Sequence, residues 1–198
     1  MTSKSSQSRL AANHEGGFSL IEVMFSMAIM TIGLVSLLGV MGLAMASTAT
    51  SEQSAIAKRL ANEALESILT ARETAQVQWS NIANGTCAVG TGCTTGIFLA
   101  PAQNIYCAGA DGIVGTSDDA ACGPMVLDQP GPNGVFMNSC PAGPDICVPL
   151  TNYTRTIAIS QFGADANLNN VTITVTYTNP QLKVPQNYVL NTLISQYR

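Results

Sequence analysis

Polar and apolar positions are divided unevenly along this 198-residue chain. From Val23 to Ala46 there are 24 residues without a charge, and Ser26, Thr31 and Ser36 are the only hydroxyls among them. About 20 apolar residues cross a bilayer as a helix, so this run predicts a membrane-spanning segment. From Ser51 to Gln78 there is no Gly or Pro, and the pattern changes. Ile56, Leu60, Ala64 and Ile68 recur every fourth residue, with Ala61, Leu65 and Leu69 beside them. Lys58, Arg59, Glu63, Glu66, Arg72 and Glu73 take the other faces, and Glu63 with Glu66 reads as a solvated pair. That is an amphipathic helix with one apolar stripe. The two stretches join into one predicted helix from about Phe18 to about Gln76, roughly 85–90 Å long at about 1.5 Å per residue.

Periodicity then disappears. Residues 79–150 hold all six cysteines, much of the Gly and most of the Pro. They read as loops with short strands near Gly96–Ala100 and Met125–Leu127. So long a stretch without elements is unusual inside a domain, so something must staple it. Order returns in 151–198. RTIAISQ (Arg155–Gln161), NVTITVTYT (Asn170–Thr178) and YVLNTLIS (Tyr188–Ser195) alternate or are rich in β-branched residues. Turn residues fill the intervals, which predicts a three-stranded antiparallel meander, joined by a strand from the loop region. One face of it would cover the amphipathic half of the helix. The fold class expected is α+β.

Charge narrows the function. Only 10% of residues are charged, the net charge is -4, and eight Lys and Arg are too few for a phosphate-binding face. Nucleic acid is therefore not an expected partner. Lys4 and Arg9 precede the apolar run, which places the N-terminus in the cytoplasm and the bulk of the chain outside it. Two ordinary readings of the run compete. A secretory signal has an apolar core of about 7–15 residues, shorter than this one, although Ala44, Ala46 and Ser47 imitate a cleavage site. An uncleaved single-pass anchor is the other.

One feature fits neither. Residues 16–22 read GGFSLIE: polarity stops at Gly17, hydrophobicity starts at Phe18, and Glu22 lies inside the apolar segment. A carboxylate at mid-bilayer costs about 2.5–3.5 kcal/mol on insertion scales, so it calls for a partner. A cut after Gly17 would create a cationic amine on Phe18. That amine could neutralise Glu22 of a neighbouring copy; its own Glu22 lies about one turn away and is poorly aimed.

GGFSLIEVM resembles the leader junction of type IV pilins and of the pseudopilins of type II secretion. The resemblance implies cleavage at Gly17–Phe18 by a prepilin peptidase, N-methylation of Phe18, and a role for Glu22 in docking to an adjacent subunit. The stretch Met30–Ala46, MTIGLVSLLGVMGLAMA, is similar to a segment of V-type minor pilins, the type IV pilus modification proteins. Gly39 stands about where major pilins commonly carry proline, which speaks against the main structural subunit. Gly42 and Ala46 form a small-xxx-small pair that permits close helix contact. The implied organisation is a leader at 1–17, a transmembrane and assembly helix at 18–46, its amphipathic continuation at 47–78, and an exported domain at 79–198. The implied partners are other major and minor pilins, the peptidase and N-methyltransferase, and the inner-membrane assembly platform. The implied location is the bacterial inner membrane, with the C-terminal domain periplasmic, and then the pilus surface.

Cys87, Cys93, Cys107, Cys122, Cys140 and Cys147 all follow the apolar run. An even count in an oxidising space reads as disulfides. The shortest-loop pairing, Cys87–Cys93, Cys107–Cys122 and Cys140–Cys147, is favoured among the possibilities. Zinc is disfavoured: there is no CxxC, and His14, the only histidine, lies in the leader. Its loss with the leader also excludes Ser-His-Asp and Cys-His mechanisms, and no phosphate loop is present, so no enzyme is expected. Asn84, Asn152 and Asn170 head Asn-x-Ser/Thr triplets, which are read as chance. Asp111, Asp118 and Asp119 sit in the Gly-punctuated segment ADGIVGTSDD, a candidate calcium loop set against a plain solvated turn. The leading expectation is a non-catalytic minor pilin. The rivals are a type II secretion pseudopilin and a membrane-anchored calcium-binding or adhesive module that never polymerises.

Overall fold

The computed structural model describes residues 17–86, 95–122, 124–128, 147–178 and 184–197. Helix α1 runs Leu20–Glu73, and six strands follow: β1 (Gln103–Asn104), β2 (Val126–Asp128), β3 (Cys147–Pro149), β4 (Tyr153–Phe162), β5 (Asp165–Thr178) and β6 (Pro185–Ser195). A 3-10 turn lies at Trp79–Asn81 and a short helix, α2, at Asp119–Cys122. Strands β1-β4-β5-β6 form one antiparallel sheet in that order, and β2 pairs with β3 in a second. The architecture is α+β and pilin-like, a long N-terminal helix packed on an antiparallel sheet.

The chain divides into two compact units, Met1–Ala46 and Ser47–Arg198. In the first, every apolar side chain from Leu20 to Met45 is exposed. This part of α1 is long and apolar enough to cross a membrane. In the second, α1 buries Ala57, Leu60, Ala61, Ala64, Ile68 and Ala71. The buried stripe is rich in alanine, and Ile56, Leu65 and Leu69 are half-buried beside it. The facing sheet supplies Tyr153, Ile157, Ile159, Val171, Ile173, Val175 and Tyr177. These are alternate residues of β4 and β5, as a pleated strand requires. Tyr153 and Tyr177 lie opposite each other and stack with ring centroids 5.7 Å apart. Burial, with Tyr177 and Glu52 nearby, pushes the Tyr153 phenol up to about 12.

Helix α1 ends three residues before the expected limit of about Gln76. Ala75 adopts a left-handed φ of 55°, a conformation more often supplied by glycine, and the Val77 N–H bonds back to the Ala71 C=O at 3.2 Å. The expected meander is present with longer strands. Gly163, at φ 60°, and Ala164 make the turn, so the stretch from Asp165 that reads as loop belongs to β5. The expected strand at Gly96–Ala100 is replaced by one parallel bridge, Asn84 to Phe98. The loop region contributes β1 to the sheet instead. The strand expected near Met125–Leu127 is β2, one residue further on.

Candidate functional site

Gly17 and Phe18 precede α1, and Phe18 is 82% exposed. The Ser19 C=O accepts the first helical bonds, from the Glu22 N–H at 2.9 Å and the Val23 N–H at 3.2 Å. Glu22 is therefore in the first turn of α1, where the exposed N–H groups and the helix dipole favour a negative charge. Ser26, Thr31 and Ser36 return their hydroxyl protons to carbonyls of the same helix, at 2.8–2.9 Å. None of the three presents a free donor to lipid, which removes the main cost of carrying hydroxyls through an apolar segment.

The structure brings Asp111, Asp118 and Asp119 together, with one carboxylate oxygen of each within 4.8 Å of the others. Backbone and hydroxyl donors hold the cluster. The Gly109 N–H donates to Asp119 Oδ1 at 3.1 Å and the Gly115 N–H to Asp119 Oδ2 at 2.5 Å. The Asp111 N–H donates to Asp118 Oδ2 at 3.2 Å, and the Ile113 N–H to Asp111 Oδ1 at 2.8 Å. Thr116 Oγ1 reaches Asp118 Oδ1 at 2.7 Å. Two glycines permit this wrap. A Cβ on Gly109 would fall 2.3 Å from Asp118 Oδ2, and Gly115 sits at φ +92° against Ile157. Burial raises the Asp111 and Asp119 carboxyls, for Asp111 with the Asp118 charge adding to it. Partial burial acts the same way on Asp118, but the bonds from Thr116 and the backbone outweigh it and hold that carboxyl low. The loop is thus more than a solvated turn: Asp119 is buried and ties its Gly109 and Gly115 backbone together.

Arg155, on the helix-facing side of β4, is the residue that sequence reasoning missed. It is 4% exposed and donates to the Leu60 C=O of α1 at 3.4 Å. Burial lowers its affinity for the proton, while Glu63 and Asp119 act in the opposite direction. Glu63, expected on a solvated face, is partly buried; burial raises its carboxyl, and Arg155 opposes the shift. A cavity of about 30 Å³ lies against Arg155, Asp119 and Thr116. That is far below the roughly 300 Å³ or more of an organic-ligand pocket. The signal for Arg155 was available: it shares strand parity with Ile157 and Ile159.

Asn84 also has a structural role that its Asn-x-Thr triplet hides. Its side-chain amide donates to the Ile157 C=O at 2.7 Å and accepts from the Ile159 N–H at 2.7 Å, closing the edge of β4 where β1 ends. Cys107 is disulfide-bonded, and among the described residues no cysteine is free. Cys122 and Cys147 are placed in backbone only, at the end of α2 and the start of β3. Cys87, Cys93 and Cys140 lie outside the described residues, so the shortest-loop pairing remains an expectation.

No curated protein and no solved structure matches the chain. Residues 12–38 match the family model described as the prokaryotic N-terminal methylation motif. The match takes in Gly17, Phe18, Glu22 and the first turns of the apolar helix, and it supports a type IV pilin-like protein anchored by its N-terminal helix.

Proposed function

We propose that the chain is a minor pilin of a type IV pilus, a non-catalytic subunit for assembly, priming or modification of the fibre. A prepilin peptidase cuts it between Gly17 and Phe18, and Phe18 is then N-methylated. The observation that carries this reading is the methylation motif over residues 12–38, followed from Leu20 by a helix whose apolar side chains are exposed as far as Met45. Such a surface is stable in lipid or among other apolar helices, and the two environments follow each other when a subunit leaves a membrane for a fibre. In both, the Glu22 carboxylate needs a cation, and the trimmed amine of a neighbouring subunit supplies one. The N-terminus faces the cytoplasm and the domain from residue 79 onward faces the periplasm, where the six cysteines pair. In this reading the Asp111, Asp118 and Asp119 loop is a structural tie, fastened by backbone N–H groups. A calcium ion as an additional tie is decided by calorimetric titration, with loss of the heat in Asp118→Ala as the supporting result.

N-terminal mass spectrometry of protein recovered from cells tests the function. The expected first residue is methylated Phe18; an untrimmed chain, or one cut near Ala46, overturns the proposal. Glu22→Ala is expected to leave the chain in the membrane but absent from sheared fibres. Deletion of the chain separates a pilus from type II secretion: the first predicts loss of fibres, the second loss of protein export.

A further inference from the structure

The two edges of the main sheet are treated differently. On the β4 side, β1 pairs at Thr154 and Arg155, and the Asn84 amide covers Ile157 and Ile159. On the other side β6 is, among the described residues, the outermost strand, eleven residues long and without a charge. Long uncharged edges are templates for a further strand, which proteins usually blunt with charges or cover.

The direction of each backbone group on β6 follows from the register. Ile157 and Ile159 turn their polar groups to Asn84, away from β5, so the even-numbered residues of β4 bond to β5. The odd-numbered residues of β5 from Val171 to Tyr177 therefore bond to Thr192, Leu190, Tyr188 and Gln186. This leaves the N–H and C=O groups of Asn187, Val189, Asn191 and Leu193 on the open edge, where all four residues are exposed. Ser195 has the same parity, and its C=O does face outward: Arg72 Nη1 donates to it at 3.0 Å. At the other end stands Pro185, which has no N–H to give.

We propose that this edge pairs with β6 of a second copy, antiparallel about a two-fold axis at Leu190. In that register Asn187 faces Leu193 and Val189 faces Asn191, and every open N–H and C=O of the four residues finds a partner. The ends match as well. Pro185, lacking a donor, faces Ser195, whose acceptor is already taken by Arg72. Leu190 meets its own copy, Tyr188 meets Thr192, and no charge is brought against another. Strand β6 runs in the same direction as the Ser47–Glu73 part of α1, because Leu60 is level with Arg155 and Tyr188 while Arg72 is level with Ser195. The two copies of that part are then antiparallel and their Ser47 ends leave from opposite ends of the pair. The contact joins molecules of opposite orientation, which belong to separate assemblies; it does not rest on the function proposed above.

The test uses the full chain in detergent. Light scattering is expected to give a dimer, and Asn191→Pro, which removes an open N–H on an exposed edge, a monomer. Leu190→Cys is expected to give a reducible covalent dimer mapped to position 190, since facing non-bonded Cα atoms lie about 4.5 Å apart. Val189→Cys alone is expected to give none, its two copies being about 8 Å apart, whereas Val189→Cys mixed with Asn191→Cys crosslinks. A monomeric parent chain, an unchanged dimer in Asn191→Pro, or self-crosslinking of Val189→Cys equal to that of Leu190→Cys overturns the proposal.

Discussion

Asn84→Ala isolates what one side chain does for the sheet. The substitution removes the amide that donates to the Ile157 C=O and to the Phe98 C=O and accepts from the Ile159 N–H, at 2.7, 3.3 and 2.7 Å. Two strand groups, one donor and one acceptor, lose their partners, and alanine leaves little room for water to replace them. A buried backbone group left unmet costs about 1–3 kcal/mol. Because this site is only partly buried, the lower half of that range applies to each, about 2–4 kcal/mol in all. In a unit of this size each kcal/mol moves the midpoint of thermal unfolding by about 2–4 °C, so the expected fall is roughly 4–16 °C. Trp79 is the single tryptophan, it packs against the core, and its Nε1 donates to the Ala166 C=O of β5 at 2.8 Å, so its fluorescence reports unfolding of the domain. Asn84→Asp keeps the acceptor for Ile159 but sets a carboxylate oxygen against the Ile157 C=O, and is expected to be at least as damaging. A midpoint within about 2 °C of the parent for both variants would refute the view that Asn84 closes the β4 edge.

Arg155→Met removes a buried cation and leaves Glu63 and Asp119 without their counter-charge. Among the described residues no ion pair is closer than 4 Å at Arg155, so the loss is expected at the low end for a broken buried pair, about 3 kcal/mol by urea unfolding. The loss should shrink at mildly acid pH, where both carboxyls take up protons. In the parent chain, the raised carboxyls of Glu63, Asp111 and Asp119 bind protons more readily folded than unfolded, so stability rises as pH falls from neutral toward the ordinary carboxylate range. Asp118, held low, acts oppositely: its contribution is lost only as pH falls through its depressed value. Thermal midpoints measured across that range should pass through a maximum, and Asp119→Asn should flatten the rise. Ala64→Leu places a large side chain in the fully buried alanine stripe of α1 and is expected to cost about 1–3 kcal/mol, read by the same fluorescence.

The main elements were legible because each carries its own period. The fourfold spacing of Leu60, Ala64 and Ile68 marks the face of α1 that is buried, and the alternation in Asn170–Thr178 marks β5. Strand β1 was not legible, because a two-residue strand has no period and owes its existence to β4. The N-terminal motif was readable in the chain itself, since Gly17, Phe18 and Glu22 follow one another closely and the methylation-motif model matches the same stretch. Arg155 was half legible: its parity places it inside, but its charge suggests otherwise until Leu60 and Asp119 are brought beside it from distant positions. Asn84 was not legible, since the groups it satisfies lie 73 and 75 residues further along.

The alanine seam has a mechanical consequence. Within the unit that begins at Ser47, helix α1 runs on into the stripe from Ala57 to Ala71, so a pull on its Ser47 end travels along the helix axis into that stripe. Tension in that direction loads the seam in shear, and many short-range contacts share the strain at once instead of opening one after another like a zip.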